Sequence, residues 1–104
     1  MPIKTPKYMA VESTNFKEVP VSKGVYALYG PDKTVVYYGS AKLNLREEIL
    51  NHCRGHETPC TEASWYFNFE LTNATRKREK ELLEEFRKQK SSLPKCNERI
   101  GKHD

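Results

Sequence analysis

The sequence predicts an α+β domain, a small antiparallel β-sheet of about three strands flanked by helices. Three observations predict it. GVYALYG (24–30) and VVYYG (35–39) are β-rich and lie either side of Gly30-Pro31-Asp32-Lys33, which is turn chemistry, so the pair reads as a hairpin. Trp65, Phe67, Phe69 and Leu71 alternate with Tyr66, Asn68, Glu70 and Thr72, the period-two pattern of a strand with one buried side. Arg76 to Gln89 places Lys80, Glu84 and Lys88 four residues apart, the charged outer face of a helix.

The elements follow in order. Residues 1 to 23 hold three prolines and no sustained period, and read as an irregular lead-in with one helical turn near Glu12 to Phe16. In the first strand Val25, Ala27 and Tyr29 face one way and Tyr26 and Leu28 the other. The second strand is expected over Thr34 to Tyr38. Asn44 with Glu47 three residues on is an N-cap pairing of the capping-box kind, opening a helix that runs to about His52. Leu45, Ile49, Leu50 and Cys53 form its apolar side. Residues 54 to 63 are expected as a loop. The second helix ends before Pro94, which forbids continuation. The division is an N-terminal lead-in (1–18), one domain (19–101) and a tail (102–104).

Composition narrows the function classes. At 104 residues the chain is the size of one ordinary domain. No apolar run approaches the length of a membrane span, and MPIKTPKYMAVEST lacks the apolar core of a signal peptide. Charged residues make up 31% with a net charge of +4, a mild bias toward polyanionic partners. Three cysteines without a close pair read as reduced thiols, so a cytoplasmic protein is expected. Cys53, His56, Cys60 and Cys96 are possible soft ligands, but their spacing is irregular and contains no CxxC, which argues against zinc.

One residue is out of pattern. Glu79, Leu82, Leu83 and Phe86 fall at i, i+3, i+4 and i+7, so a carboxylate sits on the stripe that faces the core. Such a group needs a cation, donors or a metal, unless it lies at a helix start where the stripe still meets solvent.

Taken in order, Gly24-Val25-Tyr26, Tyr37-Tyr38-Gly39, Asn44-Leu45 with His52, Glu79 with Leu82-Leu83, and Pro94-Lys95-Cys96-Asn97 resemble a GIY-YIG nuclease domain over about residues 19 to 101. The resemblance implies phosphodiester hydrolysis with one divalent ion, Mg²⁺ or Mn²⁺. It implies that Glu79 holds the metal, that Tyr26 with Tyr37 acts at the attacking water, that His52 assists proton transfer or phosphate contact, and that Asn97 supports the site. It also implies nucleic acid as partner, with DNA the expected form, and a protein partner or homodimer for targeting.

The chain departs from the family at one position. An arginine is expected three residues after Leu45 and four before His52, and residue 48 is glutamate. Arg46 fills the role if the helix register has shifted, and Arg54 if it reaches back from past His52. The other reading is that Glu48 marks a loss, leaving a nucleic-acid-binding module on the same fold. The cations Lys42, Arg46, Arg54, Arg76, Lys77 and Arg78 would then make phosphate contacts. A protein-interaction scaffold is the third reading, favoured by Glu47, Glu48, Glu57 and Glu62 around the site.

Overall fold

A computed structural model of the chain describes residues 7–10, 13–54, 59–62 and 64–100. Strand β1 spans Tyr8–Met9, β2 Gly24–Tyr29, β3 Val35–Ala41 and β4 Tyr66–Leu71. Helix α1 spans Leu45–Arg54, α2 Pro59–Glu62, α3 Thr75–Lys90 and α4 Lys95–Ile100. A 3-10 helix over Ser13–Glu18 precedes β2. The strands form one antiparallel sheet in the order β1-β4-β2-β3.

The hairpin forms where the turn residues place it. Lys33 N–H donates to the Gly30 carbonyl at 2.9 Å, and Asp32 Oδ1 accepts from the Thr34 hydroxyl at 2.7 Å. Lys33 takes the left-handed conformation (φ 68°) that such a turn requires. The Thr34 hydroxyl bond and a second from the Thr34 backbone N–H, at 3.2 Å to the same oxygen, lower the Asp32 carboxyl below its ordinary range. Strand β3 runs on past its expected end at Tyr38 to Ala41, because Gly24 at the start of β2 pairs with Ala41.

Alternation along β2 splits the core into two layers. Tyr26 and Leu28 pack with Tyr37, Leu45, Ile49 and Phe67 under α1 and the 3-10 helix. Val25, Ala27, Tyr29 and Tyr38 pack with Leu82 under α3. The sheet is therefore covered on both faces. Burying one such large apolar side chain contributes about 1.5–3 kcal/mol.

Four expectations are corrected here. Strand β4 is not buried on one side only: it lies between β1 and β2, Phe67 packs into one layer and Tyr66 into the other, while Trp65 and Leu71 are exposed. The irregular lead-in supplies a short strand, with Tyr8 paired to Phe67 and stacked on its ring at 5.1 Å. The cysteines are not all reduced. Cys60 and Cys96 form a disulfide that joins α2 to α4, and Cys53 is a buried free thiol. The expected loop over 54–63 thus contains a short helix; residues 55–58, with the candidate ligand His56, lie outside the described residues. Among the described residues no helix is long and apolar enough to cross a membrane.

Candidate functional site: a tyrosine–histidine–carboxylate cluster

The cluster begins with a missing side chain. Gly39 on β3 stands opposite Tyr26 on β2. A Cβ at 39 would collide with the phenol end of Tyr26 and lie 2.9 Å from Tyr37 Cε2. Glycine at this position is what lets the Tyr26 ring lie across the edge strand. Tyr37, two residues earlier on β3, points to the same face. The two rings have centroids 6.2 Å apart. Gly39→Ala is therefore expected to cost about 1–3 kcal/mol by overpacking, read by urea denaturation. The Tyr26 ring, 1% exposed, has little room to yield.

Helix α1 brings His52 to the pair. Asn44 Oδ1 caps the helix by accepting from Glu47 N–H at 3.0 Å, and Leu45 and Ile49 anchor it in the core. The His52 ring lies 4.9 Å from Tyr37 and 5.8 Å from Tyr26, centroid to centroid. Its Nδ1 is 3.0 Å from the Thr61 hydroxyl, which fixes the ring's orientation. Its Nε2 is 4.0 Å from Glu48 Oε1. That same oxygen accepts a hydrogen bond from the Tyr26 hydroxyl at 3.3 Å. Glu48 is thus a direct neighbour of both Tyr26 and His52.

Glu79 approaches from α3. Its Oε1 accepts from the Ser40 hydroxyl at 2.7 Å, so the out-of-pattern carboxylate meets a donor on β3. Among the described residues it has no cationic partner. Glu48 and Glu79 act on the same two hydroxyls. Burial first, then Tyr37 and the two carboxylates, push Tyr26 well above the ordinary tyrosine range. Burial, then Glu79 and Glu48, push Tyr37 up to about 12, against an opposing hydrogen-bond contact with Tyr26.

These shifts give a testable pH dependence. Below about pH 10 a tyrosine is neutral in both the folded and the unfolded chain. Above that the unfolded chain ionises first, so stability falls as pH rises, by up to about 1.4 kcal/mol per unit for each suppressed tyrosine. The loss continues until Tyr37 ionises in the fold near 12. Absorbance titration at 295 nm is expected to show Tyr26 and Tyr37 ionising only with or after that loss.

Asn97 lies beside the cluster rather than in it. Its side-chain amide donates to the Tyr38 carbonyl at 3.0 Å, and its Oδ1 accepts from Tyr38 N–H at 2.9 Å. It caps the free edge of β3 and so fixes the strand carrying Tyr37 and Gly39.

Two expected cations are placed elsewhere. Arg46 donates from Nε to the Val19 carbonyl at 2.8 Å and from Nη2 to the Lys17 carbonyl at 3.2 Å. It ties α1 to the 3-10 helix and its exit, and the helix register is not shifted to bring it to His52. Arg78 grips Glu70 at 2.9 and 3.1 Å and reaches Glu81 at 3.2 Å, joining α3 to β4. Its hydrogen bonds to Glu70 raise its already high pKa further. Lys42, Arg76 and Lys77 are exposed. Arg54 closes α1, and its side chain lies outside the described residues. Sequence reasoning missed Ser40 and Thr61, and no local signal marks either: Ser40 matters through Glu79, remote in sequence, and Thr61 on α2 through His52 on α1.

Among the described residues no three His, Cys, Asp or Glu side chains are grouped closely enough to hold a metal ion unaided. A partly exposed carboxylate without a cation suits Mg²⁺, which is held by one or two carboxylates together with waters and substrate phosphate. Glu79 fits that requirement. No protein-family model matches the chain, and no curated protein matches it.

Proposed function

We propose that the chain hydrolyses phosphodiester bonds of nucleic acid, DNA being the expected form, with a divalent ion held by Glu79. The observation that supports this reading most is the convergence of Tyr26, Tyr37 and His52 on one face of the hairpin, with Glu79 within electrostatic reach. It is the arrangement expected from the likeness to GIY-YIG nucleases.

The attacking water needs a proton acceptor. Tyr26 is protonated near neutral pH and donates to Glu48, so it acts as a relay. It takes the water's proton on its oxygen while passing its own to Glu48 Oε1. The relay leaves hydroxide at phosphorus and a neutral Glu48. Neutralisation also removes the negative charge that would repel the phosphate. His52, oriented by Thr61, presents Nε2 to the same region and in its charged form supplies the positive charge that the family draws from arginine. The divalent ion, when bound, supplies charge neutralisation of the phosphate and of the leaving oxygen. Tyr26→Phe breaks the relay and is expected to slow cleavage by about 10²-fold or more, with DNA affinity unchanged.

A second reading is favoured by one observation. A carboxylate stands at position 48 against Tyr26, where a phosphate-facing cation is expected. On that reading the chain binds nucleic acid without cutting it. Cleavage assays on nicked, branched and single-stranded DNA with Mg²⁺ or Mn²⁺ separate the two. If the wild type cuts and Glu79→Ala does not, the hydrolase reading stands. If only Glu48→Arg cuts, the site is right and this chain is a binder. The expected cytoplasmic location is tested by alkylation and mass spectrometry of protein from cells. A Cys60–Cys96 bond that persists there fits an oxidising compartment better.

A further inference from the structure

A cavity of about 450 Å³ lies beside the start of α3, lined by Lys23, Lys42, Asn73, Thr75, Arg76 and Lys77 among others. Four of these residues are cationic, and among the described residues no acidic one lines the cavity. Among the described residues none of the four pairs with a carboxylate. The helix end they surround is open. Ala74 is the N-cap residue and makes no side-chain capping bond, while its own N–H is taken by the Thr72 hydroxyl. The first intrahelical bond runs from Arg78 N–H to the Ala74 carbonyl. The N–H groups of Thr75, Arg76 and Lys77 are therefore left without helical partners.

A second observation is independent of the helix end. Thr75 is 8% exposed, and among the described residues its hydroxyl has no hydrogen-bond partner. Among the described residues the enclosed side-chain oxygen that lacks a partner is that of Ser64, so the Thr75 hydroxyl is not sealed from solvent. The cavity is the open space that Thr75 lines. A largely buried threonine that lines the cavity and helix N–H groups without helical partners, ringed by cations, suit an acceptor-rich anion.

We propose that this cavity is a phosphate-binding subsite for a backbone phosphate next to the scissile one, a role that rests on the nucleic-acid reading above. Thr75 and Glu79 share one face of α3 at i, i+4, about 6 Å apart along the axis. Lys42 lies two residues beyond Ser40, the donor to Glu79. A strand crossing Glu79 would place its neighbouring phosphate against the Thr75 hydroxyl and the open N–H groups. Lys23, Lys42, Arg76 and Lys77 would surround it with positive charge.

The test has two arms. Inorganic pyrophosphate is titrated into ¹⁵N-labelled protein while the amides of Thr75, Arg76 and Lys77 are followed. Single-stranded DNA is titrated by fluorescence anisotropy into wild type, into the double variant Arg76→Glu/Lys77→Glu, and into Arg87→Glu/Lys88→Glu at the far end of the same helix. The control carries the same change in charge, and circular dichroism checks that both variants fold. The expected result is that pyrophosphate shifts these amides selectively. DNA affinity should fall at least tenfold more in the first variant than in the control, with a shallower salt dependence. Equal weakening in both variants, or no selective amide shift, overturns the subsite even if the protein still cuts DNA through Glu79. Pyrophosphate binding with no DNA binding supports the phosphate cavity as a site for free phosphate, and it is then the nucleic-acid reading that fails.

Discussion

Glu79→Gln is expected to lower metal-dependent cleavage by about 10³-fold while leaving the fold intact. The carboxylate is the group that fits a divalent ion, and the ion's neutralisation of developing charge is worth several kcal/mol. The amide keeps the shape and can still accept from the Ser40 hydroxyl, so the contact that positions residue 79 survives. The side chain is only partly buried and forms no ion pair among the described residues, so stability should change by well under 1 kcal/mol. Single-turnover cleavage beside urea denaturation separates loss of chemistry from loss of fold. If Mn²⁺ at high concentration restores part of the rate, the defect lies in ion binding.

Cys96→Ser is expected to lower stability by about 3–4 kcal/mol, because the bond closes a loop of sequence separation 36. Its effect should extend to the site. Thr61, next to Cys60, fixes His52, and Asn97, next to Cys96, holds the Tyr38 backbone. The bridge thus joins the two short helices that position a site histidine and the edge strand. Denaturation with and without reductant should show the difference only under oxidising conditions, since reduced wild type loses the same constraint. Reduced wild type and Cys96→Ser should also share a lower cleavage rate.

The parts legible in sequence are those set by near neighbours. The hairpin is encoded by a turn whose donors and acceptors lie within four residues, and Asn44 caps α1 from one residue away. The stripe Glu79, Leu82, Leu83, Phe86 does face the sheet, with Leu82 buried and Glu79 bonded to Ser40. What was not legible depends on pairing across the fold. Tyr8–Met9 is too short to show a period and becomes a strand only because β4 offers it an edge. Strand β4 reads as one-sided because α3, which covers its other face, is remote in sequence. The Cys60–Cys96 bond has no spacing signature. The basic residues were the least legible. Arg46 and Arg78 look the same in sequence as Arg76 and Lys77, yet the first two are engaged by backbone carbonyls and carboxylates while the others stand open.

Position 48 carries the chemical distinctiveness of the site. A glutamate that accepts from Tyr26 and stands 4.0 Å from His52 makes a proton path available in place of a fixed positive charge. On the function proposed above, this cluster cuts nucleic acid with a divalent ion. The most direct measurement is gel-resolved cleavage of nicked, branched and single-stranded DNA by the wild-type protein, with Mg²⁺ or Mn²⁺ and with chelator. Products are expected with the ion and none with chelator, and Glu79→Gln should cut about 10³-fold more slowly than wild type with the ion. No product from folded wild type on any substrate would contradict it, and cleavage by Glu48→Arg alone would mark this chain as a binder.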